Sequence, residues 1–186
     1  MLPGPALVRD DLLHNNLIPP PRQLLPSDIP TALEIYRDAV LTQAPGLYSP
    51  EQVQAWASLA LLPGVLDEPL QLGYGLISEG PEGAAAFAVL HPPQRIALLY
   101  CRGWACRQGR GRQLLQSLES EACRRGCSEL QSEASQLSRP LFLKLGWEQL
   151  GTEHILIAGI PFERYRMRKA PLRLHERLEV TATDSP

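Results

Sequence analysis

The stretch "CRQGRGRQLL", residues 106–115, sets two glycines among three arginines immediately ahead of a leucine pair. An apolar, strand-like run at 96–101 precedes it. Leu114, Leu115, Leu118 and Ala122 follow at helical spacing, and Gly126 closes the pattern. The order is therefore strand, glycine loop, helix start. Glycine lets a backbone approach a ligand closely. The first amides of a helix have no intrahelical partner, and the helix dipole adds partial positive charge there. With Arg107, Arg110 and Arg112 alongside, these amides suit a phosphate group. The same ten residues also suit an ordinary turn before a solvated helix. They carry neither the Gly-Lys-Ser/Thr of a Walker loop nor the G-x-G-x-x-G of a dinucleotide-binding turn.

The elements around this loop decide the fold class. Downstream, 130–134 reads as a strand and 140–145 as a short helix ended by Gly146. The runs 148–158 and 162–167 read as closing strands joined by Gly159-Ile160-Pro161. Upstream, 70–77 and 84–90 read as strands. Glu79-Gly80-Pro81-Glu82-Gly83 separates these two, and His91-Pro92-Pro93-Gln94 separates the second from 96–101; both are turn chemistry. A helix begins at Ser49, with Pro50 in its first turn and Gln52 at the reciprocal capping position. Its apolar stripe is Val53, Trp56, Ala57 and Ala60, and Pro63-Gly64 ends it. An earlier helix starts at Ser27 or Asp28 and turns Leu33, Tyr36 and Val40 to one side, after a short strand at 22–25. The succession is strand, two helices, three strands, helix, strand, helix, two strands. It predicts a mixed α/β (α+β) layer protein with a partly antiparallel sheet. The domain is expected over 22–170, after a proline-bearing, flexible extension at 1–21 and before a polar tail at 171–186.

Composition narrows the function classes. Of 186 residues, 44% are hydrophobic and 20% charged, the balance of a soluble globular protein. A net charge of −2 gives nucleic-acid binding no global support. No apolar run approaches the ~18 residues of a membrane span. Arg9, Asp10 and Asp11 interrupt any secretory layout, so a cytoplasmic protein is expected. Cys101, Cys106, Cys123 and Cys127 read as reduced, unconnected thiols, and no metal site is expected from them.

Residues 108–113, Gln108-Gly109-Arg110-Gly111-Arg112-Gln113, resemble the acetyl-CoA motif Q/R-x-x-G-x-G/A of the GCN5-related N-acetyltransferase (GNAT) superfamily. "EASQLSRPLFLKLGW" (133–147) is similar to the family's second signature. "GIPFERYRMRK" (159–169) resembles the closing strand of bacterial members, and "LYSPEQVQAWA" (47–57) their second helix. The resemblance implies a GNAT fold: a mostly antiparallel mixed sheet of six to seven strands flanked by four helices. It implies acetyl-CoA as cosubstrate and direct attack by a primary amine, from a small-molecule or peptide acceptor. The alternative is a catalytically reduced module that binds acyl-CoA as a sensor or scaffold. Neither a nucleic acid nor a membrane is an expected partner, and the protein is expected as a monomer or homodimer.

By the same resemblance, the coenzyme pyrophosphate lies on the amides of Gln108, Gly109, Arg110, Gly111, Arg112 and Gln113. Pantetheine runs beside Leu99 and Cys101, near Ser135 and Phe142. An attacking amine must first lose a proton, since a lysine-type amine has a pKa near ~10.4. Strand alternation puts Gln131, Glu133 and Ser135 on one face, which makes Glu133 the candidate base. Its other reading is a solvated or ion-paired strand glutamate. His91, in a proline turn, and His154, on a strand, are weaker candidates that read equally as solvated imidazoles. Two positions depart from the family pattern. Gln113 stands where the motif ends in Gly or Ala, and Phe142 stands where a tyrosine commonly protonates the leaving thiolate. Water, Tyr100 or Tyr165 are the remaining proton sources. Tyr165 reads as packed, and Cys101 as a packed thiol and no nucleophile.

Overall fold

The computed structural model describes residues 18–172; most of the expected extension (1–21) and tail (171–186) lies outside them. The strands are β1 (Arg22–Gln23), β2 (Tyr74–Gly80), β3 (Gly83–Leu90), β4 (Arg95–Cys101), β5 (Leu130–Ala134), β6 (Glu148–Ile157) and β7 (Ile160–Lys169). The helices are α1 (Ile29–Gln43), α2 (Pro50–Ser58), α3 (Asp67–Leu72), α4 (Arg110–Arg124) and α5 (Arg139–Lys144). The strands form one sheet in the order β1-β2-β3-β4-β5-β7-β6, and every neighbouring pair is antiparallel except β4–β5.

Helices cover both faces of this sheet. On one face, α1 and α2 pack Ile35, Tyr36, Val40, Val53 and Trp56 against Ile77, Phe87, Val89 and Phe162. On the other, Leu114, Leu115, Leu118 and Ala122 of α4 and Phe142 of α5 meet Leu76, Ala86, Ala88 and Leu90. Strand β3 feeds both layers because its side chains alternate: Phe87 and Val89 face one way, Ala86, Ala88 and Leu90 the other. The Ser49 capping box forms as its sequence requires. Ser49 Oγ accepts from the Gln52 amide at 3.2 Å, and Gln52 Oε1 accepts from the Ser49 amide at 3.0 Å.

Two expectations are corrected. The run 70–77 does not begin as a strand, because Asp67–Leu72 form the short helix α3 and β2 starts only at Tyr74. Gly73 makes the break: a Cβ there would collide with Val89 and the Leu90 carbonyl, so the chain folds tightly into the sheet at that point. The helix begun at Ser49 ends at Ser58 and tightens into a 3-10 turn over Leu59–Leu61 before Pro63 is reached.

One polar group sits deep in the α4 layer. Glu119 is fully buried, where its carboxylate accepts from the Trp147 indole N–H at 2.7 Å and from Lys169 Nζ at 2.7 Å. Both oxygens thus have donors, as a buried charge requires.

Candidate active site

Strands β4 and β5 pair over only two positions, Arg95 with Gln131 and Ile96 with Ser132, and then part. Opposite Val89 and Leu90, β4 skips Ala97 in its pairing with β3, a bulge that bends the strand where the separation begins. Beyond it, β4 and β5 enclose a cleft of about 1080 Å³. That exceeds the ~300–1,000 Å³ typical of one small-ligand pocket.

The glycine loop closes one end of the cleft. Gly109 is the N-cap of α4 with φ +94°, and Arg110 begins the right-handed helix. A left-handed residue followed by right-handed ones turns successive N–H groups to one concave side. The first helical backbone bond runs from the Gln113 amide to the Gly109 carbonyl at 3.0 Å, so the amides of Arg110, Gly111 and Arg112 precede the ladder. Arg107 also adopts a left-handed backbone, φ +60°. Arg107, Arg112 and Lys144 bring positive charge to the cleft wall.

Arg110 has a different use. Its guanidinium is buried and runs back to β2, donating to Ser78 Oγ at 2.9 Å and to the Glu79 carbonyl at 2.6 Å. The side chain anchors the loop, while its own amide faces the cradle. Ser78→Ala should therefore destabilise the fold by about 1–3 kcal/mol, the cost of leaving a buried donor short of an acceptor. Denaturant unfolding checks this, and unchanged stability would show that the anchor is idle.

The remaining site residues fall as follows. Leu99, Tyr100, Cys101, Glu133, Ser135 and Phe142 all line the cleft with Gly109, Arg110, Gly111 and Arg112. Gln108 and Gln113 are not on its wall. Gln108 Nε2 donates to the Trp104 carbonyl at 3.0 Å, and Gln113 Nε2 donates to the Ile18 carbonyl at 3.2 Å. The bulky Gln113 thus ties the segment ahead of β1 to α4. Glu133 is ion-paired: Arg95 donates Nε to its Oε2 at 2.8 Å, with the other Arg95 nitrogen at 2.5 Å from the same oxygen. Ser135 and Ser138 cap one another, each hydroxyl accepting the other's amide at 3.0–3.2 Å. Phe142 is buried edge-on against Trp147, ring centroids 4.8 Å apart.

Tyr100 packs 4.3 Å from the Tyr36 ring, and burial pushes its phenol up to about 12. Cys106 Sγ donates to the Arg102 carbonyl at 3.2 Å. The hydrogen bond between the Cys106 and Cys101 thiols, with burial, raises Cys101 well above the usual thiol range and lowers Cys106. Cys101 is therefore held as a thiol, and a thiol is no nucleophile.

His91 pairs with Glu68 at 3.1 Å and His154 lies 3.7 Å from Glu163 on the outer side of β6; neither lines the cleft. Tyr165 is also off the wall: its hydroxyl donates to Glu163 Oε1 at 2.5 Å, with Arg139 over its ring. Arg95, Lys144, Tyr36 and Tyr48 do line it, and the sequence reading passed over all four. Tyr48 came nearest to being found, since it sits inside the 47–57 segment. Its hydroxyl accepts from the Gln136 amide at 3.0 Å. Among the described residues no group of three or more metal-ligating side chains is found, and no helix is long and apolar enough to cross a membrane.

A mixed sheet parted between two parallel strands, beside an anion cradle at a helix start, is the acetyltransferase geometry that the 108–113 motif resembles. Residues 47–169 match the model of the acetyltransferase (GNAT) domain, and the chain belongs to that family. Members use an acceptor substrate alongside acetyl-CoA. Among solved structures, the GCN5-related N-acetyltransferase (Aminotransferase, Class-II) of Rhodopseudomonas palustris is 27% identical, with a TM-score of 0.77 over 83% of this chain and 98% of that one. The PaiA N-acetyltransferase of Thermoplasma acidophilum, in complex with coenzyme A, is 19% identical, with a TM-score of 0.59 over 81% and 97%. YncA of Salmonella typhimurium, with its cofactor acetyl-CoA, is 19% identical, with a TM-score of 0.57 over 86% and 97%. No curated protein matches the chain.

Proposed function

We propose that the protein transfers the acetyl group of acetyl-CoA to a primary amine by direct attack. The observation that carries this reading is the parting of β4 from β5 directly beside the Gly109 cradle. The residues fit the coenzyme. Arg110, Gly111 and Arg112 offer amides to a pyrophosphate, with Arg107, Arg112 and Lys144 as its charged neighbours. The edge of β4 beyond Ile96, free of β5, offers backbone partners to an extended pantetheine arm. Acetyl-CoA supplies the activated thioester.

The chain's own groups then do four things. The cradle fixes the coenzyme end, the parted strands hold its arm, Glu133 takes the amine's proton, and a β4 amide stabilises charge on the carbonyl oxygen. Arg95, bound to Oε2, orients the carboxylate. Tyr100 stays protonated up to about pH 12, so it has no role as a base near neutrality.

The test is calorimetric titration of coenzyme A, followed by turnover of acetyl-CoA with an amine panel. Binding with release of thiol and formation of acetylated amine is the expected result. Binding without turnover of any amine would favour the acyl-CoA-binding module instead.

The proton for the departing thiolate follows from what surrounds it. A free thiol has a pKa near ~8.5, so the thiolate leaves tolerably without a donor. We assign that proton to solvent. Phe142→Tyr should then raise kcat several-fold, while Tyr100→Phe should change it little. Loss of turnover in Tyr100→Phe, with no gain in Phe142→Tyr, would make Tyr100 the donor.

A further inference from the structure

We propose that Cys106 and Cys101 form a thiol–disulfide exchange site for small disulfides, and that closing the bond between them shuts coenzyme A out of the cleft. The exchange stands on the two thiols alone; its effect on the coenzyme rests on the acetyl-CoA reading.

Cys101 is the last residue of β4, and the chain then bends back through a 3-10 turn at Gly103–Ala105. Two contacts pin this turn to α1. The Gly103 amide donates to Asp38 Oδ2 at 2.9 Å, and Gln43 Nε2 donates to the Cys101 carbonyl at 2.5 Å. A Cβ on Gly103 would lie 2.6 Å from Thr42 Oγ1, so glycine is what permits the close approach. The turn folds Cys106 over the strand end. Its Sγ lies 3.7 Å from the Cys101 carbonyl and 3.2 Å from that of Arg102, and the two thiols are hydrogen-bonded. Both cysteines are partly exposed and both line the cleft, whereas Cys123 and Cys127 do not line it.

The pair is unequal. The Cys101 S–H and the charge of Arg107 favour the thiolate of Cys106, against burial and Asp38. Cys106 is therefore the attacking sulfur. Its thiolate bonds to one sulfur of a small disulfide RSSR, the S–S bond breaks, and RS⁻ leaves and takes up a proton. Cys101 has then lost the hydrogen bond that chiefly held it as a thiol, and Arg110 favours its anion. It gives its proton to solvent, its sulfur attacks Cys106 Sγ, and the second RS⁻ leaves. The two cysteines are oxidised to one disulfide, and RSSR is reduced to two thiols. The new bond draws Cys106 Sγ off the Arg102 carbonyl. Arg107, at φ +60°, and Gly109, the N-cap of α4, follow within three residues, so the shift reaches the amides of the cradle. The bond also lies beside the β4 edge assigned to pantetheine.

The experiment treats the full chain, reduced and then freed of reductant, with oxidised glutathione near neutral pH. Intact mass, peptide mapping and coenzyme A calorimetry follow. The protein should lose two hydrogen masses through a bond mapped to Cys101 and Cys106. Its coenzyme A affinity should fall by at least about tenfold, the scale of one charge-assisted contact, and dithiothreitol should restore it. Cys101→Ser should stop at one glutathione on Cys106, and Cys106→Ser should keep its own affinity through the treatment. Cys101 and Cys106 remaining reduced would overturn the proposal, whatever happens at Cys123 and Cys127. A closed bond with unaltered affinity would overturn it as well. If the reduced protein binds no coenzyme A, the acetyl-CoA reading has failed, and the mapped bond alone decides the exchange: present, it stands; absent, it falls.

Discussion

Glu133→Gln is expected to lower kcat by ~10²–10⁴-fold, the usual contribution of a positioned general base. The carboxylate lines the cleft from β5, just past the two positions at which β5 pairs with β4. Glutamine keeps the shape and an oxygen for Arg95 but has no basicity. Acetyl-CoA affinity should stay within about twofold, because the cradle lies at the other end of the cleft. Stability should change by no more than about 1 kcal/mol, since the Arg95–Glu133 pair is partly exposed on both sides. Steady-state kinetics with a parallel binding isotherm separate the roles. A fall in kcat at constant coenzyme affinity marks a group that acts in the chemical step. An unchanged kcat would reduce Glu133 to the strand-surface partner of Arg95.

Gly109→Val is expected to weaken coenzyme A binding by roughly 10–100-fold, or about 1.4–2.7 kcal/mol. The residue holds φ +94°, a conformation that costs an L side chain on the order of 1–3 kcal/mol and a β-branched one the most. A chain that relieves the strain rotates the amides of Arg110 and Gly111 away from their common side. Gly111→Ala is the internal control. Gly111 lies within the helix, and a Cβ there meets only the tip of Leu141, at 3.1 Å, which can swing aside. Calorimetry should rank Gly109→Val far below Gly111→Ala in affinity. Equal affinities would remove the αL cap from the account of the cradle.

Much of this was legible because it is local. The 3.6-residue period of Leu114, Leu115, Leu118 and Ala122, the stop at Gly126 and the box at Ser49 each depend on residues within a few positions of one another. Helix α3 was hidden because "LQLGYGLI", residues 70–77, is apolar without a clear period, and the demand on Gly73 comes from Val89 and Leu90 in the next strand. Glu119 is a charged residue on α4 that is fully buried. Its partners Trp147 and Lys169 lie 28 and 50 residues away, so nothing local announces them.

The site divides in the same manner. The cradle is a run of consecutive residues and could be read. The Arg95–Glu133 pair spans 38 residues and exists only because β4 and β5 pair in parallel. Arg110 reads from its charge as a phosphate ligand, but Ser78 and Glu79 of β2 draw its guanidinium the other way.

Acetyl transfer is read most directly from the stoichiometry of its products. Acetyl-CoA and an amine acceptor are mixed with the full chain, and free thiol and acetylated amine are quantified together over time. Direct attack should give one thiol per acetylated amine, with both products suppressed in parallel in Glu133→Gln while that variant still binds acetyl-CoA. Thiol and acetylated amine appearing unchanged in Glu133→Gln, or coenzyme A bound by the wild type with no amine acetylated, would contradict it.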